Sequence, residues 1–204
     1  MENKDRACIE NHPEDLHNAV SALYRIRSRY VMKLPAFEAV VRALRDANVR
    51  YLVAGGLAVN AHGYLRATVD VDLVIQLKPD NVTPAFRALA ELGYRPTVPV
   101  TAEQFADETQ RREWIREKGM TVLSLYSERH PISNVDVFVT EPFDFDSEYD
   151  RALVGELAPD LFVRFVSLPA LIKMKRIANR PRDLDDIEHL EIILKEESRG
   201  GADT

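Results

Sequence analysis

Two short segments of this 204-residue chain place aspartates between branched apolar residues, and this alternation restricts the fold more than any other feature. The first segment runs Val69-Asp70-Val71-Asp72-Leu73, and the second runs Val135-Asp136-Val137. Because side chains alternate between the two faces of a β-strand, Asp70 and Asp72 share one face while their apolar neighbours occupy the other. Aspartate is depleted in strands, so carboxylates in two apolar strands indicate a site on the surface of a sheet.

The apolar periodicity along the chain predicts strands interspersed with helices, which is typical of an α/β or α+β protein. We predict a small mixed sheet flanked by helices. The predicted helices cover residues 13–29, 35–48, 57–62, 80–92, 101–118, 167–178 and 184–194. The predicted strands cover residues 49–54, 69–77, 120–126, 135–140 and 161–166, with a surface loop over 142–150 and a polar tail over 196–204.

The predicted organisation has three parts that form a single structural unit. Residues 1–34 form an N-terminal helical extension, residues 35–140 form the core, and residues 141–204 add a strand and helices that pack on it. A hydrophobic content of 46% is sufficient for a buried core, and a net charge of -6 argues against a general nucleic-acid coat. A single cysteine excludes an intramolecular disulfide, and the charged N-terminus does not resemble a signal peptide. We therefore expect a soluble cytoplasmic protein.

The aspartate strands have the chemistry of a divalent metal site. Two carboxylates held side by side repel each other, and one pKa rises unless a cation lies between them. Mg²⁺ or Mn²⁺ takes oxygen ligands and bridges to substrate phosphates. If the second strand lies beside the first, Asp136 joins Asp70 and Asp72, and three carboxylates can hold two metals roughly 3.5–4 Å apart. Asp136 would then be a metal ligand or a general base. The alternative is that all three are the polar residues of half-exposed strands.

A glycine pair precedes the first aspartate strand. Gly55-Gly56 ends an apolar strand and leads into a short helix, so bare backbone amides there can approach an anion such as a triphosphate. The pair is neither a P-loop nor a dinucleotide-binding fingerprint, because the required later residues are missing. The alternative is a tight turn without a ligand. Arg66, just before the aspartate strand, either reaches a phosphate or is an exposed loop arginine.

Taken together, these motifs resemble the polymerase-beta-like nucleotidyltransferase superfamily. The resemblance rests on Val53-Ala54-Gly55-Gly56, on Arg66 to Leu73, and on Val135-Asp136-Val137. The AbiEii-type branch, which contains abortive-infection and toxin–antitoxin nucleotidyltransferases, is the most similar. It is indicated by two C-terminal stretches, from Ser167 to Lys175 and from Arg180 to Ile187.

The resemblance implies a nucleotidyltransferase fold and a role for each matching residue. Gly55 and Gly56 would hold the nucleotide phosphates, and Lys175 would meet the nucleotide from a helix. Asp70 and Asp72 would bind the metals, and Asp136 would complete the catalytic triad of acids. Many members have serine as the second residue of the glycine motif. This chain has Gly56 instead, so its phosphate contacts there would come from backbone amides.

The function implied is metal-dependent transfer of a nucleoside monophosphate from a nucleoside triphosphate to an acceptor hydroxyl or phosphate, with release of pyrophosphate. The acceptor would be a tRNA end, a protein side chain or a small molecule. The alternative is a weakly active or inactive regulatory module of the same fold that binds a toxin–antitoxin partner. The base of the nucleotide and the oligomeric state do not follow from the sequence.

Overall fold

The computed structural model describes residues 34–200, with side chains for 35–199, so the predicted helix over residues 13–29 lies outside the described residues. Within this range the helices are α1 (Leu34–Asp46), α2 (Gly55–Ala61), α3 (Pro79–Glu91), α4 (Ala102–Ala106), α5 (Glu108–Lys118), α6 (Phe145–Arg151), α7 (Leu168–Ala178) and α8 (Pro181–Gly200). The strands are β1 (Tyr51–Val53), β2 (Val71–Ile75), β3 (Arg95–Pro96), β4 (Val122–Tyr126), β5 (Val135–Phe138), β6 (Leu153–Ala158) and β7 (Leu161–Phe165).

The strands of the described residues form one mixed sheet in the order β3-β4-β5-β2-β1-β7-β6. The pairs β2/β5 and β1/β7 are parallel, and the remaining neighbours are antiparallel. The two aspartate strands therefore lie side by side in the middle of the sheet. The predicted class, a mixed sheet flanked by helices, is confirmed.

The helices pack in two groups. Contacts link α1 to α3, α3 to α4 and α4 to α5, whereas α2 contacts α7, and α7 packs against α8 as a helical hairpin. The apolar stripe of α1 explains its position, since Val40, Val41 and Leu44 are fully buried in the core. Ser167 caps the start of α7, and Asn179 ends it in a left-handed conformation, as the serine and the Asn-Arg-Pro break predict.

Several element predictions are wrong in informative ways. The predicted loop over residues 142–150 contains α6, whose first turn is capped by the Asp144 side chain through the backbone N–H of Ser147. The predicted helix over residues 101–118 is two helices, because Asp107 ends α4 and caps α5. The predicted polar tail is helical to Gly200, and β3 and β6 have no counterpart among the predicted strands.

Backbone hydrogen bonds near the N-terminal end of β2 hold this strand in register with both of its neighbours, β5 and β1. The backbone N–H of Val71 donates to the carbonyl of Asn134 at 2.9 Å, and the N–H of Ala54 donates to the carbonyl of Asp72 at 2.9 Å. These bonds extend the ladders on both sides of β2. In residues 34–200 we find no helix that combines the length and the apolar character needed to cross a bilayer.

Candidate active site

Asp72 and Asp136 lie directly opposite each other on neighbouring parallel strands. The register pairs Val71 with Val135, Asp72 with Asp136, and Leu73 with Val137. The flanking apolar side chains are buried, and the two aspartates are half-buried on the other face. Neighbouring strands lie about 4.8 Å apart, so the two carboxylates are adjacent. The prediction that the second aspartate strand lies beside the first is confirmed.

Oδ1 of Asp136 is buried and accepts no hydrogen bond from any group in the described part of the chain. A buried polar atom without a partner costs about 1–3 kcal/mol, and more when it is charged. A cation at this oxygen would remove the penalty. The donor set is therefore suited to a hard metal ion, which takes carboxylate oxygens as ligands.

Asp70 lies immediately before β2 and is half-buried. Burial and the charge of Asp136 raise the pKa of Asp70, while a hydrogen bond from the backbone of Asn134 opposes the rise. Within residues 34–200, no three acidic, histidine or cysteine side chains come close enough to surround a single ion. Mg²⁺ commonly uses one or two carboxylates and completes its shell with water and substrate phosphates, so an open arrangement is compatible with it. The metal site at these three residues remains a prediction.

The environment of Asp72 disfavours its charged form. Burial, followed by the negative charges of Asp136 and Asp70, raises its pKa to about 6. The positive charges of Lys175 and Arg180 act in the opposite direction. An ionised Asp72 is thus under electrostatic strain that a bound cation would relieve.

The raised pKa makes a prediction for stability without divalent metal. The pKa of Asp72 is about 6 in the folded state, against 3.8 for an unperturbed group. The folded state therefore binds more protons between these values, and the Asp72 contribution to the free energy of unfolding increases as pH falls from 7 to 4. With about 1.36 kcal/mol per pKa unit, the full effect is at most about 3 kcal/mol.

Urea unfolding of wild type and Asp72→Asn in EDTA at pH 7 and pH 5 measures this contribution. The Asn variant lacks the titrating group but keeps its shape, so the difference between the two proteins isolates Asp72 from other groups such as His62. Burial lowers the pKa of His62, which gives it the opposite dependence. We expect Asp72→Asn to have a higher free energy of unfolding than wild type at pH 7. This difference should fall by about half at pH 5. An advantage that stays constant with pH would contradict the prediction.

The glycine pair packs directly against the acidic strand. Gly55 has φ +59°, a left-handed conformation that favours glycine. A Cβ added there would lie 2.9 Å from Cβ of Asp72 and closer still to its carboxylate. The bare Cα of Gly55 therefore leaves the space in which the Asp72 carboxylate lies. The structure brings together the glycine turn and the acidic pair, as the sequence predicts, and the phosphate contacts of the turn remain a prediction.

Thr68 is a polar neighbour of this turn that the sequence motifs did not single out. A Cβ added at Gly56 would lie 2.7 Å from Cβ of Thr68, closer still to its hydroxyl oxygen, and 3.1 Å from Nη1 of Arg66. A hydroxyl and a guanidinium nitrogen therefore adjoin the second glycine. The alternating pattern of residues 66–72 could have indicated this position, because Thr68 is two residues before Asp70.

Arg66 is held by a fully buried carboxylate on α8. Its Nε and Nη2 donate to Oδ1 and Oδ2 of Asp186 at 2.6 and 2.8 Å. Its Nη1 donates to the carbonyl of Ala67 at 3.2 Å. Arg66 is therefore not an exposed loop residue, and this alternative is wrong. A contact of Arg66 with a phosphate remains a prediction. Such a phosphate would accept a hydrogen bond from Nη1, beside Gly56.

Lys175 on α7 joins the same buried network. Its Nζ lies 2.9 Å from Oδ1 of Asp183 and 2.6 Å from Oδ2 of Asp186, and only 7% of the residue is exposed. Burial raises the pKa of Asp183, but the hydrogen bond and charge of Lys175 outweigh this effect and lower it overall. The Asp183 carboxylate also accepts the backbone N–H of Arg180 at 3.1 Å, which satisfies a donor at the start of α8. A nucleotide contact of Lys175 remains a prediction.

Ser124 extends the polar row across a third strand. The antiparallel register of β4 and β5 pairs Ser124 with Asp136, so its half-buried side chain lies on the face that carries the aspartates. The sequence predicts the strand that contains Ser124 but does not indicate which strand it neighbours. Leu125 points to the opposite face, where it helps to line a hollow of about 420 Å³ between α3 and β3. That hollow is separate from the acidic row.

Comparisons with known proteins identify the fold. No protein-family model matches the sequence, and no curated protein matches it either. The structure is similar to the lincosamide antibiotic adenylyltransferase LnuA in its lincomycin-bound crystal structure, with a TM-score of 0.50 and 14% identity over 80% of this chain and 98% of that chain. The antibiotic-resistance factor ANT(2'')-Ia gives a TM-score of 0.49 and 15% identity over 83% of this chain and 94% of that chain. The fold shared with LnuA is the nucleotidyltransferase fold.

Proposed function

We propose that this chain is a metal-dependent nucleotidyltransferase that moves a nucleoside monophosphate from a nucleoside triphosphate to an acceptor hydroxyl or phosphate. The observation that carries the proposal is the pairing of Asp72 with Asp136 beside the bare Cα of Gly55, with a buried carboxylate oxygen of Asp136 left without a partner in the described part of the chain. A purely structural surface would not need two adjacent carboxylates, one with a strongly raised pKa.

In the proposed reaction, the acceptor oxygen forms a bond to the α-phosphorus of the nucleotide. The bond from that phosphorus to the α–β bridging oxygen breaks, and its electron pair leaves with pyrophosphate. Asp136 takes the acceptor proton or serves as a metal ligand. Asp70, Asp72 and Asp136 would hold Mg²⁺ or Mn²⁺, which when bound neutralises phosphate charge and lowers the pKa of the attacking hydroxyl.

The remaining polar groups position the triphosphate. Backbone amides at Gly55 and Gly56 would hold its phosphates, because the missing side chains allow close approach. The hydroxyl of Thr68 and Nη1 of Arg66 adjoin Gly56 and can donate to the same group. The positive charge of Lys175 opposes the rise in the pKa of Asp72 and so acts on the site. Together these groups hold the substrate in the geometry for in-line attack, which supplies most of the catalysis in phosphoryl transfer.

The acceptor is a tRNA end, a protein side chain or a small molecule. LnuA acts as a lincosamide antibiotic adenylyltransferase, which is an example of a small acceptor on this fold. The assignment to the AbiEii-type branch, with a toxin–antitoxin partner protein, is part of the proposal and rests on the sequence motifs from Ser167 to Ile187. The alternative is a regulatory module with little activity, which would bind nucleotide without transferring it.

The binding prediction is that the wild-type protein binds at least one of ATP, GTP, CTP and UTP roughly tenfold or more tightly in Mg²⁺ than in EDTA. The reason is that Asp72 and Asp136 cannot accept a triphosphate without a cation between the charges. Calorimetric titration with each nucleotide measures the affinities, and release of labelled pyrophosphate in cell extract measures transfer. Metal-dependent binding without any pyrophosphate release would favour the regulatory module. Absence of metal-dependent binding for all four nucleotides would overturn the proposed site.

A further inference from the structure

The turn between α7 and α8 carries Arg180, whose guanidinium is only weakly paired with the buried carboxylates nearby. Asn179 adopts φ 49° and ends α7, and Pro181 begins α8, so Arg180 lies between the two helices. Its side chain is 77% exposed, and its contact with Asp183 is a long ion pair of 3.4 Å through Nε. Within the described residues, Nη1 and Nη2 of Arg180 donate no hydrogen bond to the protein.

Lys175 differs from Arg180 in this respect. Its ammonium is buried between Asp183 and Asp186, at 2.9 and 2.6 Å. Asp186 is fully buried and also pairs with Arg66. A phosphate that drew Lys175 away would therefore weaken the pairing of this buried carboxylate. Redirecting an exposed arginine costs far less than breaking a buried ion pair, because solvent already screens the arginine.

The network also connects the turn to the catalytic face. Asp183 accepts both the Arg180 backbone N–H and the Lys175 ammonium, and Asp186 connects Lys175 to Arg66, whose Nη1 adjoins Gly56. Arg182, two residues after Arg180, donates from Nη2 to the carbonyl of Ala67, so the turn lies beside the segment that leads into the aspartate strand β2. A planar guanidinium with two free nitrogens matches two phosphate oxygens.

We propose, on the basis of the function proposed above, that Arg180 binds the β- and γ-phosphates of the nucleoside triphosphate. In transfer, it stabilises the charge of the pyrophosphate that receives the electron pair of the broken bond. The buried Asp183 accepts the backbone N–H of Arg180 and also pairs with Lys175. The triphosphate tail is therefore recognised separately from the nucleoside, by a residue at the junction of the two C-terminal helices.

The test compares triphosphate and monophosphate binding by calorimetry in Mg²⁺, with the nucleotide that wild type binds most tightly and its monophosphate. Arg180→Ala is expected to weaken triphosphate affinity roughly 10- to 100-fold, the value of a charged hydrogen-bond pair, and to change monophosphate affinity less than about twofold. Arg180→Lys should recover part of the loss. The matched control is Arg176→Ala, an exposed arginine on the same helical hairpin that pairs with Glu191, which should change neither affinity.

The outcomes are distinguishable. Unchanged triphosphate affinity in Arg180→Ala overturns the inference while leaving the proposed function standing. Equal losses for triphosphate and monophosphate also overturn it, because they indicate a general electrostatic or structural effect. A wild-type protein that binds none of the nucleotides in Mg²⁺ removes the proposed function and this inference together. Thermal unfolding of each variant confirms that it is folded, as expected for an exposed position.

Discussion

Asp72→Asn is expected to lower pyrophosphate release by roughly 10²–10³-fold or more and, without divalent metal, to raise the free energy of unfolding at pH 7 by about 1–3 kcal/mol. The two effects have one cause. The carboxylate is held beside Asp136 and Asp70 in a half-buried position, where its ionised form is disfavoured. Asn removes the charge that the proposed metal and substrate would require, and it also removes the repulsion that the folded protein tolerates without them.

The measurement pairs a steady-state assay with urea unfolding in EDTA. The matched control is Asp150→Asn, which removes an exposed carboxylate on α6 and should alter neither quantity by more than a small amount. A variant with full activity would remove Asp72 from the catalytic site. A variant that is less stable than wild type would show that Asp72 makes favourable contacts, which is the opposite of what carboxylate repulsion predicts.

Gly55→Ala is expected to destabilise the protein by more than about 3 kcal/mol and to abolish metal-dependent nucleotide binding. Two penalties add at this position. A left-handed φ of +59° is unfavourable for alanine, and the new Cβ would overlap the Asp72 side chain. Gly119→Ala is the matched control, because Gly119 has φ +60° and a Cβ there meets no described atom within 4 Å. It should cost only about 1 kcal/mol.

Urea unfolding of both alanine variants measures the difference that the Asp72 contact makes. Adding Asp72→Ala to Gly55→Ala removes the two closest atoms of the overlap and should recover part of the lost stability. This double variant also provides a folded protein if Gly55→Ala alone does not accumulate. Equal costs at Gly55 and Gly119 would mean that the glycine turn does not support the acidic row.

Local signals in the sequence are sufficient for the strands that carry the site. The Val-Asp alternation predicts β2 and β5 because period-two patterning depends only on neighbouring residues. The capping serine and the Asn-Arg-Pro break predict α7 for the same reason. The missed helix α6 shows the limit. Its aromatic residues Phe145 and Tyr149 pack beneath the guanidinium of Arg50, a residue far away in the chain. A sequence window of ordinary length does not contain that stabilising partner.

The charged residues show the same limit more sharply. The sequence leaves Arg66 as either a phosphate ligand or an exposed residue, and it predicts that Lys175 contacts the nucleotide. The structure pairs both with Asp186, which follows Arg66 by 120 residues. Which cation meets which acid depends on the packing of α7 and α8 against the turn that precedes β2. Long-range pairing of this kind leaves no periodic trace in the sequence.

The amino-acid sequence by itself determined that the aspartates share one face, because alternating Asp and Val residues on a strand place the carboxylates on the same side whatever the rest of the chain does. Only the tertiary structure decided how those carboxylates are arranged. Parallel pairing of β2 with β5 set Asp72 against Asp136, and the bare Cα of Gly55 made room for the carboxylate. The hairpin of α7 and α8 left Arg180 as an exposed cation while burying Lys175. These outcomes depend on contacts between distant segments, which form only when the whole core is packed.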